Sequence, residues 1–190
     1  MLKWIVMAGG ASSLIGFLVL CMLLTAVGGR TQQGVGTPFS TPTVSSTLPT
    51  PAATSCSPAV LPASAYVPMA REAAIAVGLF PDVFVRQIQV ESGFNPCALS
   101  PAGAQGIAQF MPGTAAGLGI NPWDPVAALR GAARLMASYQ QQYQGDYAKA
   151  LAAYNAGSGT VEQATLHCGS QWQSCVPQET QHYIQMILGS

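Results

Sequence analysis

Charge is scarce in this chain: Lys, Arg, Asp and Glu make up 7% of it and sum to a net charge of zero. With no basic stripe, the electrostatic footprint of a nucleic-acid binder is missing. The sequence has no His-Glu-x-x-His run and no Cys-x-x-Cys pair, so the usual signatures of a metal site are missing too. His167 and His182 are read as surface or structural residues. The scarcity is sharpest between Arg86 and Asp124, where Glu91 is the one charged side chain.

A lone carboxylate among glycines, amides and apolar residues is a candidate proton donor. Burial disfavours its ionised form, so such a carboxyl can stay protonated near neutral pH and protonate a leaving oxygen. That is the chemistry of a glycosidase acid. Pro81 opens a helical pattern in which Phe84, Ile88 and Glu91 fall on one face at helical spacing. Gly93 suits the helix end, which puts Glu91 in the last turn, where the negative end of the macrodipole also disfavours ionisation. The competing reading is a solvated or capped glutamate at a helix end.

Four motifs surround this residue in chain order: Glu91-Ser-Gly-Phe94, Gly106-Ile-Ala-Gln109 with Met111-Pro-Gly-Thr-Ala115, Ala153-Tyr-Asn-Ala-Gly157, and Glu179-Thr-Gln-His-Tyr183. Together they resemble the catalytic domain of the soluble lytic transglycosylases over roughly Ala63 to Leu188. The resemblance implies a mostly α, lysozyme-like fold of the goose-type kind. It also implies cleavage of peptidoglycan between N-acetylmuramic acid and N-acetylglucosamine, with no cofactor and no metal. Glu91 matches the single catalytic acid. Ser92, Gln109, Tyr154, Asn155 and Tyr183 match residues that line the sugar cleft around it. The departures are Ile107-Ala108, where leucine-methionine is commoner, and Cys97, where a small polar residue is usual. They bear on cleft shape and crosslinking rather than on the acid.

The resemblance does not reach the first sixty residues. Trp4 to Gly29 carries no charge and has a strongly apolar centre, Leu14 to Val27. About twenty apolar residues suffice to span a bilayer. Residues 1–30 are therefore expected to be a transmembrane anchor, with Lys3 before it favouring a cytoplasmic N-terminus and an exported C-terminal domain. The alternative is a signal peptide cleaved near Ala26-Val-Gly28, which would give a secreted protein. Leu20 stands before Cys21 where a lipoprotein site needs a small residue. Residues 31–62, rich in Thr, Ser and Pro, lack the apolar content for a core and read as a disordered, extended linker. At roughly 3 Å per residue it could hold the domain on the order of 100 Å from the membrane, a reach suited to the cell wall.

Cys56, Cys97, Cys168 and Cys175 lie beyond the apolar segment, in an exported context that favours disulfides. The pairings favoured are Cys168 with Cys175, closing a short loop, and Cys56 with Cys97, tying the linker's end to the loop after the catalytic helix.

Residues 63–190 read as one domain of helices joined by Gly- and Pro-rich loops: Val67–Val77, Pro81–Glu91, Pro112–Gly117, Pro125–Tyr143, Tyr147–Tyr154, Ser158–Leu166 and Pro177–Leu188. Asp124 and Pro125 form an N-cap and first turn. Asn95 to Phe110 is too rich in Pro, Gly and Ala for a helix and is expected to form a loop or small hairpin beside the cleft. Gln109 there offers an amide to a neutral sugar. A hydrolase would need a second carboxylate. Glu179 is the one to consider, although an ion pair or helix cap suits it better. If Glu91 works alone, the resemblance supplies the nucleophile: the muramic acid's own 6-hydroxyl, closing a 1,6-anhydro ring. The alternatives are a muramidase of the same fold, or a wall-binding accessory module of a secretion or conjugation apparatus.

Overall fold

The computed structural model describes residue 56 and residues 61–189. The segment expected to be a membrane anchor, and nearly all of the expected linker, lie outside them. Among the described residues no helix is long and apolar enough to cross a membrane.

The described residues form seven α-helices: α1 (Ala63–Ile75), α2 (Pro81–Ser92), α3 (Pro112–Gly117), α4 (Pro125–Gln142), α5 (Tyr147–Ala156), α6 (Ser158–Cys168) and α7 (Gln178–Leu188). A 3-10 turn, Gly169–Cys175, joins α6 to α7. Neighbouring contacts close a ring in which α1 packs on α2, α2 on α7, α7 on α5, α5 on α4 and α4 back on α1. Helix α5 also packs on α6, and its run Ala150, Leu151, Ala152, Ala153 is at most 1% exposed. A helix apolar on every side must sit in the interior, and small alanine side chains let its neighbours approach closely. The same core holds Phe84 and Ile88 of α2, Leu129, Ala132 and Met136 of α4, and Ile184 and Ile187 of α7, all buried.

Several helix starts follow local chemistry. Asp124 Oδ1 accepts from the backbone N–H groups of Val126 and Ala127, both at 3.0 Å, and Asp146 Oδ1 accepts from that of Lys149 at 3.0 Å. Each bond satisfies donors that a helix N-terminus leaves unpaired.

Several helix limits differ from the sequence reading by one to four residues, among them those of α1 and α6. Helix α1 begins at Ala63, four residues before Val67, and carries Pro68 inside it. Proline there removes the N–H that Ser64's carbonyl would accept, but both residues are exposed, so that carbonyl faces solvent. Helix α6 runs on to Cys168, past Leu166, and leads into the 3-10 turn, where Trp172 is buried at 7% exposure. The disulfide Cys168–Cys175 brackets that turn, with Cα atoms 6.5 Å apart.

The segment between α2 and α3 contains no helix. Bridges pair Leu99 with Gln105 and Gln105 with Phe110, both antiparallel. The backbones of Gln105 and Phe110 exchange two hydrogen bonds, at 2.9 and 3.0 Å, closing a tight hairpin. Gly106 in its turn has φ +74, and a Cβ there would lie 1.8 Å from the Pro122 carbonyl oxygen. Both the left-handed backbone and the contact require glycine. The second disulfide, Cys56–Cys97, ties the N-terminal edge of the domain to this segment, with Cα atoms 5.3 Å apart.

Candidate active site

Glu91 stands one residue from the end of α2, which stops because Gly93 adopts φ 63 and caps the helix in the left-handed region. Phe94 follows at φ 63 although it is a bulky aromatic, a strained conformation held by burial of its ring at 2% exposure. The chain thus turns sharply beneath Glu91 and enters the hairpin.

The Glu91 side chain meets Tyr183, in the second turn of α7, whose hydroxyl donates to Oε1 at 2.5 Å. Burial pushes the Glu91 carboxyl from 4.5 up to about 8, while the hydrogen bond from Tyr183 pulls the other way. Glu91 is nonetheless partly accessible. Solvent reaches part of the residue while packing desolvates the carboxyl, a combination suited to a proton donor that must meet a substrate. Tyr183 is 3% exposed, and its phenol is pushed well above the usual range, first by burial and then by the Glu91 charge. Burial and the same charge act in that order on Tyr154.

The remaining predicted site residues fall in two groups. Ser92, Gln109 and Tyr154 bond to the hairpin. Ser92 Oγ donates to the Ile107 carbonyl at 2.6 Å, Tyr154 Oη to that of Ala108 at 2.8 Å, and Gln109 Nε2 to those of Gly106 and Ala98 at 2.9 and 3.3 Å. Three successive carbonyls, Gly106 to Ala108, are thereby held by side chains from α2, α5 and the hairpin itself. Gln109 has φ 49, and its own two bonds offset that strain. Its amide hydrogens therefore serve the loop, where the sequence suggested that they serve a sugar. Asn155 forms the second group. Its Oδ1 accepts from Thr180 Oγ1 at 2.8 Å, while its Nδ2 is buried and without a partner. One end of this amide is fixed by α7 and the other is left unpaired.

Glu179 lies in the first turn of α7, one turn before Tyr183. Burial raises its pKa, one of its oxygens is covered and unpaired, and it makes neither the ion pair nor the helix cap that the sequence suggested. The causes that set the Glu91 and Tyr183 pKa values do not include it. His167 and His182 are exposed. One residue beside the acid escaped the sequence reading: Gln87, fully buried on α2 with neither amide atom hydrogen-bonded. The available signal was its spacing, one helical turn before Glu91 on the inward face.

Residues 64–172 match the family model described as the Transglycosylase SLT domain. Over 112 residues the chain is 33% identical to membrane-bound lytic murein transglycosylase D of Escherichia coli (strain K12), covering 52% of this chain and 25% of that protein. It is 31% identical over 134 residues to peptidoglycan transglycosylase gp16 of Escherichia phage T7, covering 66% of this chain and 10% of the phage protein. Among solved structures, an inactive mutant of lytic transglycosylase Slt from Pseudomonas aeruginosa superposes with a TM-score of 0.57 at 28% identity, over 65% of this chain and 23% of that one. The chain thus spans a quarter or less of these relatives' lengths.

Proposed function

Because the chain belongs to the transglycosylase SLT domain family, we propose that it is a peptidoglycan lytic transglycosylase. It cleaves the β-1,4 bond between N-acetylmuramic acid and N-acetylglucosamine and leaves 1,6-anhydro ends. The observation that carries this reading is Glu91, whose carboxyl is held protonated up to about pH 8 with Tyr183 on one oxygen. Tyr183 occupies Oε1, so the proton belongs on the other oxygen, which donates it to the glycosidic oxygen as the bond to the anomeric carbon breaks. Glu91 is then a carboxylate, and the Tyr183 hydrogen bond stabilises that charge. The carboxylate takes the proton of the muramic acid 6-hydroxyl as that oxygen closes on the anomeric carbon. One carboxyl serves in turn as acid and base.

Ser92, Gln109 and Tyr154 act through the hairpin, whose carbonyls they fix beside the acid. Asn155 is held by Thr180 of α7, and its Nδ2 is buried, so it shapes the cleft wall and would serve an N-acetyl group only if its amide turned toward the cleft. The apolar segment at residues 1–30 holds the domain on the extracytoplasmic side of the membrane. The Thr- and Pro-rich linker then lets the domain reach the wall.

The pH dependence follows from the sign of the Glu91 shift. Catalysis starts from the protonated acid, and its pKa lies at about 8. Release of soluble muropeptides from purified peptidoglycan should therefore be level in kcat/KM below that pH and fall about tenfold for each pH unit above it. A profile that falls between pH 4 and 5, where an ordinary glutamate titrates, would refute this role for Glu91.

A further inference from the structure

Gln87 is fully buried, neither Oε1 nor Nε2 makes a hydrogen bond of good geometry, and its side chain reaches the Tyr183 hydroxyl closely enough to pull that phenol's pKa down against the larger upward pushes. A buried amide that serves no structural bond is costly, and a leucine or methionine would fill the same space without that cost. Its place is specific. Gln87 and Glu91 are four residues apart on α2, so their side chains stack on one face, and Tyr183 reaches that face from α7. The hydroxyl proton of Tyr183 goes to Glu91, which leaves the phenolic oxygen able to accept.

We propose that Gln87 is a positioning residue for the acid, its Nε2 donating to the Tyr183 oxygen so that the Tyr183 proton stays on Glu91 Oε1. The opposite amide orientation would set a carbonyl against the hydroxyl and draw its proton away from Glu91. The sequence N–H to O–H to carboxylate is cooperative, each bond polarising the next, and it strengthens as Glu91 acquires charge. Gln87 therefore favours the carboxylate that must form midway through the reaction, and it keeps the proton of the acid on the oxygen that faces the glycan. This role rests on the reading of Glu91 as the acid. The titratable groups facing Glu91 are Tyr183 from α7 and Tyr154 from α5, and burial keeps both phenols protonated. The ion pair between α1 and α2, Arg71–Asp82, lies at the surface in the first turn of α2.

The test observes Glu91 directly and needs no substrate, so its outcome is independent of whether the chain cleaves peptidoglycan. In the full chain labelled with carboxyl-13C glutamate, Gln87→Met should raise the Glu91 titration midpoint by roughly half to one pH unit, because a donor relay that favours the charged form is lost. Thermal stability should stay level or rise. In a Tyr183→Phe background the same substitution should leave the midpoint where it is. An unchanged midpoint in Gln87→Met, or an equal rise in the Tyr183→Phe background, would overturn the proposal. A measurement on the unsubstituted chain covers the case in which the variant does not fold: the Gln87 side-chain NH2 resonances should move with the Glu91 midpoint. Resonances that stay flat through that midpoint would also overturn it.

Discussion

Glu91→Gln is expected to lower turnover of peptidoglycan by at least about two to four powers of ten, the usual worth of a positioned general acid. The amide keeps the shape of the side chain, and its oxygen can still accept from Tyr183, so the helix end, the hairpin and α7 should stay in place. What it cannot do is release a proton. The variant should also show a stability signature that a simple packing defect would not. In the folded chain Glu91 titrates at about 8, against 4.5 for the free side chain. Between those values the folded state binds a proton that the unfolded state has lost, so stability falls as pH rises. Its contribution is fully present below pH 4.5 and is lost by the time pH has passed about 8. Glu91→Gln removes this dependence, so at neutral pH and above it should match or exceed the parent in melting temperature while remaining inactive. Near-normal lysis by a folded variant would end the assignment of Glu91 as the acid.

Removing the Cys56–Cys97 crosslink should have the largest effect on stability. It joins residues 41 apart, against 7 for Cys168–Cys175. In the chain-entropy picture these loops correspond to about 4 and about 2.4 kcal/mol. Cys97→Ser should then lower the melting temperature by roughly 10–20 °C, and Cys168→Ser by about half as much. The longer crosslink also bears on the site. Cys97 adjoins Ala98, whose carbonyl accepts from Gly106 N at 2.8 Å and from Gln109 Nε2, so loosening it frees one anchor of the hairpin. Activity should therefore decline at temperatures below the melting point. Equal melting of Cys97→Ser and the parent in differential scanning calorimetry would contradict this. A fragment starting at Ala63 lacks Cys56 and should behave as Cys97→Ser does.

Much of the domain was legible because local chemistry marks it. Asp124 with Pro125 announces α4, the apolar spacing of Phe84 and Ile88 sets the inward face of α2, and Gly93 ends it. Glu91 could be singled out because no other charge competes with it over that stretch. The hairpin could be anticipated only as a non-helical segment, since its shape depends on bonds between distant residues. Tyr154 reaches Ala108 across 46 positions, and no periodicity encodes such a pairing. For the same reason Gln109 reads equally well as a sugar ligand or a loop brace until its partners are seen. Pro68 obscured the start of α1, because a proline inside a helix looks like a boundary. Gln87 and Gln89 flank Ile88 and look alike in the sequence. Only the docking of α7 makes one of them an interior residue beside the acid, while the other stays exposed.

The central claim is that one carboxyl acts alone, and the mass of the released ends tests it most directly. Muropeptides freed from purified peptidoglycan should carry 1,6-anhydromuramic ends, lighter by one water than hydrolysed ends and resistant to borohydride reduction. A spectrum dominated by reducible, hydrolysed ends would contradict the account. It would mean that water is the nucleophile and that a second carboxylate, with Glu179 the first to substitute, takes part.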